Sequence, residues 1–237
     1  MRRSISIVIP AYNEERRLPA TLATIDTYLA GSRWEFSEIV VVNDGSRDCT
    51  AAIARQAGAR VLENPGNRGK GYSVRHGMLE AQGDWTLFTD ADLSSPIDEL
   101  EKLWCAVESA GARAAIGSRA LDRSLIGVHQ PFFRENMGRL FNLAMRIATG
   151  LPYRDTQCGF KLFETAAARE IFRRQRLDGF GFDVEVLYIA SRLGYRTLEV
   201  PVQWNDVAGT KVSLWRGLKA FLDPLEVRWN GLTGKYR

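Results

Sequence analysis

The chain has 237 residues, 45% hydrophobic and 25% charged, with a formal net charge of +4. These proportions exclude a disordered tail or a fibrous repeat and suit one large domain burying ~70% of its unfolded surface. Three scattered cysteines and two histidines exclude a disulfide framework and a multi-histidine centre, so a metal would rest on carboxylates, which favour Mg²⁺ or Mn²⁺.

The first half alternates between strand and helix signals. Residues 5–10 read as a buried strand. Leu18, Leu22, Ile25 and Leu29 follow at helical spacing, and Gly31 stands where a C-cap belongs. A β-branched run over 39–42 ends in the turn signal Asn43-Asp44-Gly45. A helix over 50–57, a strand over 60–63, a helix over 71–82 and a strand over 85–89 come next. Ser95 reads as an N-cap with Pro96 at N1, opening a helix that carries Leu100, Leu103, Trp104 and Val107 on one face. Residues 114–117 make another strand. The pattern predicts an α/β fold with a mostly parallel central sheet and helices on both faces.

The second half is less regular. Phe133, Met137, Leu140, Phe141, Ala144 and Ala148 lie at helical spacing. Residues 155–163 read as a polar loop entering a short strand, 184–193 as a helix and 196–202 as a strand. Leu214, Leu218, Phe221, Leu222 and Leu225 form a last stripe, which Pro224 is expected to kink. No linker divides the chain, which reads as one domain with a nucleotide-binding half over 1–120 and an acceptor-side half over 121–237. Trp34, Trp85 and Trp104 read as core residues, and Trp204, near a strand end, as one that could face the site. His76 and His129 read as surface and loop residues, and Cys158 as inert or solvent-reachable.

Three segments could carry chemistry. Asp90-Ala91-Asp92 ends an apolar strand, and carboxylates at i and i+2 project to the same side. Two such anions need a cation or donors between them, which a divalent ion shared with a diphosphate supplies; the other reading is a solvated turn before a helix. Asp44 stands after a strand, either to accept from a nucleobase or ribose or as an ordinary Asp-Gly turn. Asn67-Arg68-Gly69-Lys70-Gly71 opens a helix with cations and glycines suited to an anion. There is no P-loop and no G-x-G-x-x-G after the first strand.

Ile7 to Glu15, Val42-Asn43-Asp44-Gly45-Ser46 and Asp90-Ala91-Asp92 together resemble, in order, the signature of family-2 glycosyltransferases. Asn67 to Gly71, Gly117-Ser118-Arg119 and Asp155 to Lys161 resemble the polyprenyl-phosphate sugar transferases within it, leaning to the glucosyl branch. The resemblance implies the type A glycosyltransferase fold and inverting transfer from a nucleotide-diphospho-sugar. It places Pro10, Ala11, Tyr12, Glu14, Lys70 and Ala91 at the donor, with Asp44 reading the base. It places Asp90 on the ribose or sugar side and, with Asp92, at the metal, Mg²⁺ or Mn²⁺. Ser94 stands where mannose synthases carry a glutamine that helps the metal. Arg119 and Arg134 would clamp phosphates, and Lys211 and Ser213 would close over the diphosphate.

The acceptor decides what else is needed. A sugar hydroxyl needs a general base, for which Asp155, Asp183 and Glu185 are the candidates, although Asp183 equally reads as a helix cap. A polyprenyl or dolichyl phosphate, with a second pKa near ~6, arrives largely ionised and needs cations to place it. The expected reaction is therefore glucose transfer from UDP-glucose to a polyprenyl or dolichyl phosphate. Mannosyl transfer from GDP-mannose and transfer to a sugar hydroxyl are the alternatives, and a non-catalytic nucleotide-sugar scaffold is the rival outside the enzymes. Dispersed basic residues argue against nucleic acid. No apolar run reaches 18 residues and the start is too short for a secretory signal, so no transmembrane helix or signal peptide is expected. A lipid acceptor then implies a cytoplasmic protein in peripheral contact with the inner face of the membrane; the two amphipathic stripes serve that contact or pack on the sheet. Oligomeric state is open.

Overall fold

Ile5, Ile7 and Ile9 belong to one core and Val8 to another, and all four are fully buried along strand β1 (Ser4–Ala11). A strand apolar on both faces belongs inside a covered sheet. The computed structural model, which describes residues 3–128, 142–143, 145–207 and 223–237, places it there. β1 pairs in parallel with β2 (Phe36–Asn43) on one side and β4 (Trp85–Thr89) on the other, and β3 (Arg60–Glu63) lies beyond β2. In the far half, β5 (Ala114–Ser118) runs parallel to β8 (Thr197–Pro201). Between the halves runs β7 (Phe160–Glu164), antiparallel to both β4 and β5. The sheet order is β3-β2-β1-β4-β7-β5-β8, and β6 (Ile126–Val128) pairs separately with β9 (Trp204–Asn205).

Helices α1 (Leu18–Gly31), α2 (Thr50–Gln56) and α4 (Leu100–Ala110) cover one face, where Leu22, Ile25, Leu103 and Val107 join Ile5, Ile7 and Leu87 in one core. Helices α3 (Lys70–Glu80), α5 (Thr165–Arg174), α6 (Phe182–Arg192) and α7 (Asp223–Leu232) cover the other, where Val74, Ile171, Phe182 and Val227 join Val8, Phe88 and Phe163. The mostly parallel α/β sheet agrees with the sequence pattern, and strands 60–63 and 85–89 keep the bounds read from it.

Several local expectations are corrected. Ser95 does not cap a helix: it is buried with its hydroxyl 3.9 Å from Cys158 Sγ, and a 3₁₀ turn (Ile97–Glu99) leads into α4. Asp183 is not a cap either, because α6 starts at Phe182 after Gly181 and draws Asp183 inside. Pro224 lies in the first turn of α7, where a missing N–H costs nothing. Cys158 is buried, whereas Cys49 and Cys105 are exposed. Trp104 is half-buried and edge-on to both Trp34 and Trp85, at 5.0 and 5.3 Å. His76 is half-buried with Nδ1 2.8 Å from Asn64 Oδ1. Arg134, Lys211, Ser213, His129 and most of both amphipathic stripes lie outside the described residues.

Phe163 fastens β7 to α5, edge-on to Phe172 with ring centroids 5.7 Å apart. Phe163→Ala empties this contact far from the strand ends that carry the site. It is expected to cost ~3–5 kcal/mol in urea unfolding, whereas a loss below ~1 kcal/mol would contradict the packing described.

Candidate functional site

The sheet order reverses at β1, whose chain connections go outward to β2 on one side while β4 returns on the other. In such sheets the crevice at the strands' carboxyl ends collects ligands. A cavity of about 660 Å³ opens there. Pro10 and Ala11 at the end of β1 and Tyr12 and Glu14 after it, Asp44 after β2, and Asp90, Ala91 and Asp92 after β4 all line it. Lys70 at the start of α3 completes the set, so nine of the donor-side residues named from sequence come together.

Hydrogen bonds tie the strand-end loops to one another. The Asn13 N–H donates to Ser46 Oγ at 2.9 Å and the Glu14 N–H to Thr50 Oγ1 at 2.8 Å. Thr21 Oγ1 donates to the Ala91 carbonyl at 2.7 Å, which links α1 to the acidic turn. Asp44 is buried, and its carboxylate accepts from the Arg68 N–H, the Gly69 N–H and Asn64 Nδ2 at 2.8–2.9 Å. Its first role is thus to hold the 67–71 loop. Gly69, at φ +106°, is required there, because a Cβ would stand 2.5 Å from the Asp178 carbonyl. That carbonyl belongs to residues 175–181, a wall of the cavity that the sequence reading did not single out. Gln175 Nε2 donates to the Gly71 carbonyl at 2.9 Å and the Tyr72 N–H to the Asp178 carbonyl at 3.3 Å, seating the wall on the start of α3.

The acidic turn itself is asymmetric. Lys70 Nζ lies 2.7 Å from Asp90 Oδ1, and Asp90 Oδ2 packs against Gly159, where a Cβ would overlap it. Asp92 Oδ1 accepts from the Ser94 N–H and Oγ at 3.1 and 2.9 Å. Ser94 therefore orients Asp92. Leu93, between them, takes φ +46°, a left-handed conformation uncommon for its type. Burial pulls the Lys70 ammonium down, but Asp90, Asp183 and Asp92 outweigh it and hold the pKa above its ordinary value. The donor set at this turn is oxygen, as Mg²⁺ or Mn²⁺ requires. Among the described residues no group of three or more His, Cys, Asp or Glu side chains could cage an ion, so the substrate would have to supply the remaining ligands.

The acceptor-side candidates do not join this cavity as free bases. Asp155 is buried, takes Nε and Nη2 of Arg119 at 2.7 and 2.9 Å, and also accepts the Arg119 N–H. Burial alone would raise its pKa, but the guanidinium overrides this and holds the carboxyl down at about 2. Arg119, whose guanidinium also lies over the Trp204 ring at 5.3 Å, is thus committed to a pair rather than lining the cavity. Asp183 is buried against Lys161, which also donates to the Cys158 carbonyl; desolvation leaves the Asp183 pKa raised despite that partner. Glu185 accepts the Arg176 and Leu177 N–H groups and the Tyr236 hydroxyl, so it fixes the cavity wall from behind. Burial and Asp155 push the Cys158 thiol up to about 11, which makes it inert.

A model of the family described as glycosyl transferase family 2 matches residues 6–172. The chain belongs to that family. It is a glycosyltransferase, and its relatives match nearly its whole length. Dolichyl-phosphate beta-glucosyltransferase of Drosophila melanogaster is 38% identical over 98% of this chain and 77% of its own. The human and Saccharomyces cerevisiae proteins of that name are each 34% identical, over 99% and 98% of this chain and 78% and 76% of theirs. Among solved structures, glucosyl-3-phosphoglycerate synthase from Mycobacterium tuberculosis with Mn²⁺ and UDP-glucose aligns with a TM-score of 0.67 at 21% identity, over 94% of this chain and 79% of that one. Mannosyl-3-phosphoglycerate synthase from Rubrobacter xylanophilus aligns at 0.72 and 19%, over 98% and 75%. These structures share the fold, the type A architecture expected from the sequence.

The Arg119–Asp155 pair has a pH signature. A carboxyl whose pKa is depressed on folding stabilises the protein above its unfolded value of ~3.9, and that contribution fades as pH falls towards about 2. Asp155→Asn is expected to cost about 3 kcal/mol at pH 7, by leaving a guanidinium without its counter-charge. The gap to the parent should close between pH ~4 and ~2; a gap independent of pH would contradict the pair.

Proposed function

We propose that this glycosyltransferase moves glucose from UDP-glucose to a polyprenyl or dolichyl phosphate, with inversion and with a divalent cation assisting. The observation that carries the acceptor assignment is the commitment of Asp155, Asp183 and Glu185 to partners within the protein. A hydroxyl acceptor would need a carboxylate base, and the three that the sequence offers for it are engaged elsewhere; a lipid phosphate brings its own anionic oxygen. The printed names of the curated relatives, at 34–38% identity, support the same acceptor class and the glucosyl group.

In this reading a phosphate oxygen of the lipid attacks the anomeric carbon as the bond to UDP breaks. Asp92 would hold the cation together with the donor's diphosphate, and Asp90 would stand on the sugar side. The cation supplies Lewis-acid stabilisation of the leaving diphosphate. Lys70 and Arg68 add positive charge at the same cavity, and the loop they stand on is fixed by Asp44. Arg134, Lys211 and Ser213 are carried into the proposal from the family resemblance alone, as phosphate ligands. The Mn²⁺ and UDP-glucose in a structure of the same fold are compatible with this chemistry.

A lipid acceptor needs a face towards the bilayer. Among the described residues eight large apolar side chains are exposed, and five fall on two neighbouring helical segments: Leu143 and Ile147, and Leu225, Trp229 and Leu232. The segments touch where Arg228 Nη1 donates to the Ala148 carbonyl at 3.2 Å. Arg146 and Arg228 stand on the same two segments, and the same helix α7 lends Asp223 and Glu226 to the cavity rim. This combination fits an anionic bilayer surface. Among the described residues no helix is long and apolar enough to cross a membrane.

Transfer is tested with labelled UDP-glucose, GDP-mannose and UDP-N-acetylglucosamine, each with a short polyprenyl phosphate, Mn²⁺ or Mg²⁺ and detergent. Metal-dependent transfer from UDP-glucose with a β-linked product is expected, and Asp92→Asn should lower turnover by roughly 100-fold or more. Transfer from another donor would sink the glucosyl assignment. For the membrane face, Trp229→Ser/Leu232→Ser should weaken sedimentation with anionic vesicles by at least roughly tenfold. Unchanged binding would remove α7 from the interface.

A further inference from the structure

Around the end of β4 stand two lysines and three carboxylates, and among the described residues only one of the five makes no ion-pair contact. Lys161 is buried against Asp183. Lys70 is paired with Asp90, whose second oxygen lies against Gly159. Asp92 remains: Ser94 engages its Oδ1, and among the described residues no hydrogen bond reaches Oδ2. Lys70 and Asp92 line the same cavity, so the paired and the unpaired carboxylate face one space.

We infer that Lys70 is an internal counter-ion that keeps Asp90 from binding metal, so that a divalent cation enters only together with the nucleotide diphosphate. This rests on the metal-assisted reading above and deepens it. A hard divalent ion takes six or more oxygen ligands and gives up its waters reluctantly, and a single carboxylate is too little to hold it. Asp90 and Asp92 acting together would offer two carboxylates and hold the ion more tightly in the donor's absence. With Asp90 held by the lysine, the diphosphate becomes an obligatory part of the site. The loop that positions Lys70 is the one Asp44 organises against the cavity, so the counter-ion is placed by donor-binding structure. Lys70 is in this respect a positioning residue: its effect on the ion passes through Asp90. The arrangement also makes release of the nucleotide product release the ion.

The test is Mn²⁺ binding, read from the electron paramagnetic resonance signal of free Mn²⁺ and by calorimetry, with no acceptor present. It is run without nucleotide, with UDP and with GDP, so it does not depend on which sugar is moved. The parent protein should take up Mn²⁺ at least roughly tenfold more tightly with its nucleotide than without. Lys70→Met should bind Mn²⁺ without nucleotide roughly tenfold more tightly than the parent, Lys70→Arg should behave as the parent, and Asp90→Asn added to Lys70→Met should abolish the gain. Asp90→Asn alone, which needs no new packing, should keep nucleotide-dependent Mn²⁺ binding. Equal Mn²⁺ binding by the parent with and without nucleotide, no gain in Lys70→Met, or loss of Mn²⁺ binding in Asp90→Asn overturns the inference and leaves metal assistance standing. Absence of Mn²⁺ uptake by every form with every nucleotide overturns metal assistance and the inference with it.

Discussion

A carboxylate buried at a strand end has to find donors, and Asp44 finds them in two backbone N–H groups of the next loop and in Asn64. Most of the site follows from that one demand. The 67–71 loop is drawn in towards β2, which sets where α3 begins and therefore where Lys70 stands. Lys70 then meets Asp90 at the end of β4. The start of α3 also receives the wall of residues 175–181, through Gln175 and the Asp178 carbonyl. Three strand ends and one helix start are thus locked into a single cavity by polar groups that would each be costly to leave unpaired.

The same accounting of polar groups bears on the chemistry. Every carboxylate considered as a base on the acceptor side has partners within the protein. Asp155 balances Arg119, Asp183 balances Lys161, and Glu185 gathers two wall amides and the Tyr236 hydroxyl. The cavity retains charge of both signs, which the proposed transfer between a diphosphate and another phosphate would use: cations to hold two anions, and carboxylates to hold a metal and a sugar. In the proposed reaction the acceptor's ionised oxygen would do the work that a base would otherwise have to do.

Much of this was legible in the sequence because its signals are local. β-branched runs mark β1 and β2, an apolar run marks β4, and the acidic turn and the Asn-Arg-Gly-Lys-Gly loop stand where each strand or helix changes. What was not legible depends on partners far along the chain. β7 is only five residues long, and nothing local says that it runs antiparallel between β4 and β5. Helix α5 went unread although Ala167, Ala168, Ile171 and Phe172 share its buried face, because half of that face is alanine, which marks a core weakly. Lys161 looks like a surface cation, yet Asp183, 22 positions on, allows it to be buried. Glu185 looks like a catalytic candidate, and its partner Tyr236 is 51 positions away. The residues 175–181 carry no motif; a wall is recognised only by what it faces.

The account stands on the acceptor being an anion that needs no base. The most direct measurement offers the enzyme labelled UDP-glucose with a polyprenyl phosphate and the matching polyprenol together, over a range of pH. The account predicts label in the phosphate alone, with kcat/KM rising through the acceptor's second ionisation near ~6 and then level. Label in the alcohol, or a rate that follows the ionisation of an enzyme carboxylate instead, would contradict it.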